Sequence, residues 1–480
     1  MVLYEHRFVT KFPVEYCSAN STKVYQGTTG QLMRVAIVGS GPSGFYAAQA
    51  LFDSNVEVDV AMYERLPAPF GLVRYGVAPD HAKIKNVTKV YEKIAAHDRF
   101  SFFGNVTVSK EISIAELQTY HDAVILASGA ETDKKLGIEG EDLPGSYTAT
   151  EFVAWYNGHP DYQNGVFDLS GDVAVVVGQG NVATDVCRIL CKTADELKST
   201  DITERALGVL AESKIVEVHM IGRRGPVQAA FTPSEIREFG GLDDCTPIVD
   251  PEDLSNLRPE CQNELSNKQR RQILEVLEKF SHLNPMQLQK KRRFVMHFLK
   301  SPVCLRGDEK VQSVVLEHNV LSGKSGEQKA KGTGEMQELP CGAFFRSIGY
   351  RGVPIQGVPF DEQSGTIPNK KGRVLDSGKI VPGLYTVGWI KRGPFGIIGT
   401  NKPDSVETVR NLLSDIGDLC PCPVPDDNVL KGLLKDRGVD VIDYKVWQMI
   451  DAAEIAKGKA LGKPREKFIE RGTMLAAVGE

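Results

Sequence analysis

Two short runs rich in β-branched residues, 34–38 and 173–177, each close on a glycine-rich hexapeptide and lead into a helical pattern. That repeat predicts an α/β fold with two parallel-sheet units, each sheet layered between helices. The length agrees, since 480 residues make two or three domains at roughly 100–200 residues each. Hydrophobic residues at 41 % and charged residues at 25 % are a globular balance and exclude a collagen, a coiled coil and a disordered chain. No run reaches the roughly 18 apolar residues that cross a bilayer. A net charge of −5 offers no basic excess to a nucleic acid. Nine scattered cysteines read as thiols of a reducing compartment.

Residues 1–32 precede any periodic pattern and are expected to form an N-terminal extension. Arg7, Lys11 and Lys23 are cations there, while Glu5 and Glu15 break the acid-poor composition of a transit peptide.

The first unit begins with the strand 34–38 and continues through Gly39-Ser40-Gly41-Pro42-Ser43-Gly44 into a helical pattern at 45–52. In such a turn Gly39 makes the tight bend, Gly41 lets backbone N–H groups approach a pyrophosphate, and Gly44 lets helix and strand pack closely. The helix N-terminus faces the anion with partial positive charge. A second strand, 56–63, ends at Glu64, about 20 residues beyond Gly44, where a carboxylate holds a ribose hydroxyl. Strand, loop, helix, strand and acid in this order predict a bound dinucleotide.

The second unit runs from strand 173–177 through Gly178-Gln179-Gly180-Asn181-Val182-Ala183 into a helix expected over 184–191. An insertion, 192–213, carries a helix expected to start near Asp201, with capping-box spacing to Glu204. The next strand, 215–221, ends in Gly222-Arg223-Arg224 and not in an acid. A carboxylate would repel a 2′-phosphate, whereas guanidinium forks pair with it. The first unit therefore suits FAD and the second NADPH. A flavin accepts a hydride from nicotinamide and can release electrons singly.

Three further stretches, 123–130, 343–349 and 383–389, read as strands that return the chain to nucleotide-binding sheets. The last leads into a glycine-rich turn, 391–399, suited to a flavin or nicotinamide ring. No CxxC dithiol adjoins either fingerprint, and neither Cys187 with Cys191 nor Cys420 with Cys422 has a second pair. Disulfide-reductase chemistry, a metal site and an Fe–S cluster in this chain are therefore not expected. His81 lies in a loop punctuated by glycine and proline, and Glu235 opens a helix just past the arginines. Basic runs at Lys268, Arg270 and Arg271 and at 290–293 could serve an acidic partner.

On these residues the chain resembles the adrenodoxin reductases, mitochondrial NADPH–ferredoxin reductases, from about residue 34 to its end. The shared motifs include GSGPSGFYAAQ, PFGLVRYGVAPDH, GQGNVATDV, IGRRGPVQAAFT, LYTVGWIKRGPFG and GKPREK. The resemblance, close enough for an ortholog, implies two Rossmann-like domains. A discontinuous FAD domain takes 33–131 and 351–480, and an NADP domain is inserted as 132–350. It implies an FAD site at Gly39, Gly41, Ser43, Gly44, Glu64, Leu72, Val108, Trp389, Gly396, Ile397 and Ile398. It implies an NADPH site at Gln179, Gly180, Asn181, Val182, Arg223, Arg224, Glu235 and Gly396. His81 and Asp185 resemble a pair where the domains meet and, with Glu235, are the candidate catalytic residues. A [2Fe–2S] ferredoxin is implied as one-electron acceptor, docking on Lys268, Arg270 and Arg271. A monomer in the mitochondrial matrix is implied too, with room for a peripheral contact with the inner membrane. The chain departs from the family at Ser43, usually Ala, and at Phe395, usually Thr beside the flavin loop. Two other readings are an electron-input subunit of glutamate-synthase type and a non-enzymatic FAD/NADP redox sensor. The first would carry a cysteine-rich N-terminal domain, but only Cys17 precedes Gly39.

Overall fold

The computed structural model describes residues 32–255, 257–283 and 289–477, so the expected N-terminal extension lies outside them except for Leu32. The first unit contributes β1 (Met33–Val38), β2 (Val58–Tyr63), β3 (Phe100–Phe103) and β4 (Ala123–Leu126). After the short β5 (Thr132–Asp133), the middle of the chain supplies β6 (Ser146–Thr148), β7 (Val173–Val177), β8 (Glu217–Ile221), β9 (Cys245–Val249) and β10 (Arg292–His297). Next come β11 (Lys300–Arg306), β12 (Ser313–Ser322), β13 (Lys329–Pro340) and β14 (Ala343–Arg346). The chain returns through β15 (Tyr350–Arg351), which pairs with β5, to β16 (Asn369–Lys370), β17 (Arg373–Asp376) and β18 (Lys379–Thr386).

One sheet has the order β16-β17-β18-β4-β1-β2-β3 and so combines strands from both ends of the chain. A second sheet, β6-β14-β7-β8-β10-β9, draws only on the middle and is parallel throughout. The strands β11, β12 and β13 form a separate antiparallel sheet. All six residues of β1 are buried, as expected of a parallel strand covered on both faces. One face of the first sheet packs Val35, Ile37 and Val60 against Phe45 and Leu51 of helix Pro42–Phe52, while Ala36, Val38 and Leu126 fill the other core. The second sheet is likewise covered on both faces, with Val176 and Met220 in one core and Val175 and Val177 in the other.

Three local expectations differ from the structure. The second fingerprint helix is Asn181–Cys191, starting directly after the extended Gly180. Thr203 caps helix Glu204–Ala211, and Asp201, expected to start that helix, is instead buried against Lys85 and Lys467. The second basic run, considered for an acidic partner, enters β10 and is partly engaged within the fold: Lys290 donates to the Leu242 carbonyl and Arg293 pairs with Glu217. Cys187 and Cys191 are buried as packing residues.

Candidate functional site

A cavity of about 540 Å³ opens where the two sheets meet, at the C-terminal ends of β1 and β4. Gly39 has φ 109°, a left-handed conformation natural only to glycine. A Cβ on Gly44 would overlap the Gly39 carbonyl, so this glycine is needed for helix–strand packing. Gly41 has nothing within 4 Å of a built Cβ. The protein itself does not demand glycine there, but a closely seated ligand would. Helix Pro42–Phe52 has no side-chain cap and no acid in its first turn, leaving its N–H groups to an anion. Glu64 accepts from the Ser40 hydroxyl at 2.6 Å and from the Leu66 N–H at 3.0 Å, which aims the carboxylate at the cavity it lines.

Ser43, Leu72, Trp389, Gly396, Ile397 and Ile398 complete this part of the wall. Ser43 is buried, donating to Asn401 at 3.2 Å and accepting from Ser405 at 3.0 Å on helix Asn401–Ser414. The chain's two ends are thus tied together beneath the fingerprint. The Trp389 indole nitrogen and the Ser128 hydroxyl are buried without a protein partner, and both residues line the cavity. Orphaned donors beside an uncapped helix fit a polar, anionic cofactor such as FAD. Val108 does not line this cavity; it packs against a core cluster that contains Ile112 and Phe103.

The second fingerprint repeats the design. Gly180 is open, and helix Asn181–Cys191 has neither side-chain cap nor first-turn acid. Asn181 and Val182 line the same cavity, and Asn181 accepts the Thr232 N–H at 2.9 Å. Gln179 and Gly180 lie off its wall, with the Gln179 side chain folded over Gly222. Arg223 and Arg224 stand further along, past the end of β8. Among the described residues neither forms an ion pair. Burial lowers the Arg224 pKa, and so do the neighbouring charges of Arg223 and Arg270. The two guanidinium groups of Arg223 and Arg224, without a paired carboxylate among the described residues, fit a phosphate. Arg270, expected to dock a partner, is therefore close enough to act on Arg224, and it is itself paired with Glu264. Lys268 and Arg271 are exposed on helix Lys268–Ser281.

The three candidate catalytic residues meet at the cavity wall, but in a different arrangement from the expected pair. His81 Nε2 lies 3.1 Å from Glu238 and 3.5 Å from Glu235, whereas Nδ1 is 3.8 Å from Asp185, beyond hydrogen-bond range. Glu238 is thus the hydrogen-bond partner of His81. Burial pushes the Glu235 carboxyl up to about 7, and the Asp185 charge adds to the effect. Burial raises Asp185 as well. Burial alone would lower His81, but the Glu238 hydrogen bond and the Asp185 and Glu235 charges outweigh it and raise its pKa. Glu238 and Asp80, together with Arg188 and Lys192, are members of this cluster that sequence reasoning missed. The spacings Asp185–Arg188 and Glu235–Glu238 were visible, but not that these two helices and the loop of Asp80 converge.

A family model for pyridine nucleotide-disulphide oxidoreductases matches residues 33–239. NADPH-ferredoxin reductase FprA of Mycobacterium tuberculosis is 46 % identical over 453 residues, covering 92 % of this chain and 98 % of the relative. The mitochondrial NADPH:adrenodoxin oxidoreductase of Mus musculus is 42 % identical over 458 residues, covering 93 % and 92 %. The structure of Mycobacterium tuberculosis FprA in complex with NADPH matches with a TM-score of 0.89 at 45 % identity, covering 94 % of this chain and 100 % of that one.

Proposed function

Because the chain belongs to the family of NADPH-dependent ferredoxin and adrenodoxin reductases, we propose that it is an FAD-dependent NADPH–ferredoxin oxidoreductase. One observation carries this reading. Pro42 and Ser43 of one fingerprint helix and Asn181 and Val182 of the other line a single cavity. Two dinucleotides held at those helix ends reach toward a shared space, and proximity is the main catalytic effect. FAD bound there supplies the link between a two-electron hydride donor and one-electron acceptors.

The chain's own residues bind and orient. Gly39, Gly41, Gly44 and the N-terminus of helix Pro42–Phe52 would hold one pyrophosphate, and Glu64 a ribose hydroxyl. Trp389, Gly396, Ile397 and Ile398 would cover the flavin ring. Gln179, Gly180, Asn181 and Val182 would hold the second pyrophosphate, and Arg223 and Arg224 the 2′-phosphate. Leu66, Leu72, Val73 and Val153 line the cavity with apolar surface that keeps water out. Glu235 and His81 keep exchangeable protons at the wall. The sheet built from both chain ends is the FAD domain, 33–131 and 351–480, and the inserted segment 132–350 is the NADP domain. The acceptor is a [2Fe–2S] ferredoxin, docked on a basic face that includes Lys268 and Arg271. The mitochondrial relatives support a matrix location, which an import assay with isolated mitochondria tests. Among the described residues no helix is long and apolar enough to cross a membrane.

The test is NADPH-driven cytochrome c reduction by the purified yellow protein, with and without a [2Fe–2S] ferredoxin. The expected rate depends on the ferredoxin and falls steeply with salt, as charge-steered docking does. Flavin reduction by NADPH with a rate indifferent to ferredoxin would assign a different acceptor. Absence of flavin reduction would reject the reading.

A further inference from the structure

Oxidation of one NADPH by two one-electron acceptors yields NADP⁺, two reduced acceptors and one proton, because a hydride is a proton with two electrons. That proton appears in a cavity walled largely by apolar side chains. The titratable groups on the wall nearest the second fingerprint are His81, Asp185 and Glu235. Behind them sits Arg188, whose side chain is wholly buried. Its guanidinium donates to Asp80 through Nε at 2.8 Å and Nη2 at 3.0 Å, to Asp185 at 2.7 Å and to Glu235 at 3.1 Å. Glu238 lies 3.4 Å from its Nε.

We infer that Arg188 is the positioning residue of this site: it fixes the geometry of four carboxylates around His81 and so sets how many protons the His81–Glu235 pair holds at the cavity wall. The inference rests on reading the cavity as the NADPH–flavin site. One fork-shaped guanidinium joins three separate pieces of chain: the loop of Asp80, the helix of Asp185, and the helix of Glu235 and Glu238. A lysine could not, being a single point charge without the planar fork. Charge balance supports the assignment. The four carboxylates face two permanent cations, Arg188 and Lys192, the latter 2.8 Å from Asp80. Two negative charges remain, and one proton on Glu235 with one on His81 neutralises the cluster. The upward shifts of both groups agree with that count. The buried phenols of Tyr156 and Tyr350 also face Asp185, and burial keeps both neutral.

The experiment follows the His81 ring titration by NMR in flavin-loaded protein with labelled histidine, assigned through His81→Gln. Parallel measurements record the pH dependence of NADP⁺ affinity. Arg188→Met should move the His81 midpoint up by about one pH unit or more, since a neighbouring cation is lost, and Arg188→Lys, which keeps the charge without the fork, should show only part of that shift. Asp80→Asn should move the midpoint down, since it removes a neighbouring anion. If Arg188→Met loses its flavin, Arg188→Lys, which keeps the cation without the fork, still decides by whether the His81 midpoint moves. Unmoved midpoints in folded variants, with only a slower rate, would overturn the inference. Failure of NADPH to reduce the wild-type flavin would instead reject the functional reading, and the histidine titration would still judge Arg188.

Discussion

A glutamate in the first turn of a helix ordinarily interacts with the helix's own N–H groups, and Glu235 departs from that role. Its backbone N–H is bonded to Thr232, while its carboxylate reaches Arg188 and faces His81. Burial and the Asp185 charge raise its pKa to about 7, against roughly 4.3 in an unfolded chain. A carboxyl raised in the folded state stabilises fully below the unfolded value, and that contribution is lost as pH rises through the folded value. Glu235→Gln does not titrate, so its stability relative to wild type should climb between pH about 4.3 and 7 and then level off, by on the order of 2 kcal/mol. Urea unfolding of both proteins at pH 5 and pH 8 checks this. A stability of the variant relative to wild type that stays constant, or falls, from pH 5 to pH 8 would show that Glu235 is ionised throughout that range.

At the scale of elements, helix N-termini separate structure from function. Helices Ile114–Tyr120, Ala149–Tyr156 and Ala194–Leu197 each begin with a complete capping box. The two fingerprint helices have no side-chain cap. Their N-caps are Gly41 and Gly180, which forgo only about 0.3 kcal/mol each against a capping side chain and leave the N–H groups free for a ligand. Asn181→Asp should expose this trade. The new carboxylate keeps the acceptor that holds Thr232 and favours the helix dipole by about 0.3–1 kcal/mol, yet it repels a pyrophosphate. Nucleotide-free melting should hold or rise slightly while the NADP⁺ Kd increases roughly tenfold or more. Unchanged affinity in a fluorescence titration would place the pyrophosphate elsewhere. These helices were legible in the sequence because apolar strand, glycine turn and helical pattern occupy consecutive residues. Their starts were less so. The second was expected at 184 but begins at Asn181, because the glycine turn ends at an extended N-cap and not at the first apolar position. Near residue 201 the capping pattern of an acid three residues before Glu204 misled, since Asp201 serves tertiary structure and Thr203 caps the helix.

For the molecule as a whole, local pattern predicted the two sheets but could not show what locks them together. Lys85 lies in the first unit, between β2 and β3, Asp201 lies in the insertion of the second, and Lys467 comes from near the C-terminus, 116 and 266 residues from Asp201 along the chain. Asp201 accepts from Lys85 at 2.7 Å and lies 3.0 Å from Lys467. Lys463 adds bonds to the Ile202 carbonyl and Glu204, both at 2.7 Å. No spacing rule links such distant residues, so this juncture, like the cluster around Arg188, emerges only when the chain is folded. Its energetics follow from burial. Asp201→Asn would leave two enclosed ammonium groups without a carboxylate, a change that costs about 3–5 kcal/mol. The loss should depend on pH. Burial already lowers the Lys467 pKa to about 7 despite Asp201, against roughly 10.4 in an unfolded chain. A group lowered in the folded state contributes fully above its unfolded value, and that contribution is lost as pH falls through the folded one. Removing Asp201 lowers the folded value further, so the variant should lose more stability at pH 6 than at pH 9. Urea unfolding at the two values measures it. A loss that is small and equal at both would mean that water reaches these ammonium groups and that apolar packing alone holds the sheets together.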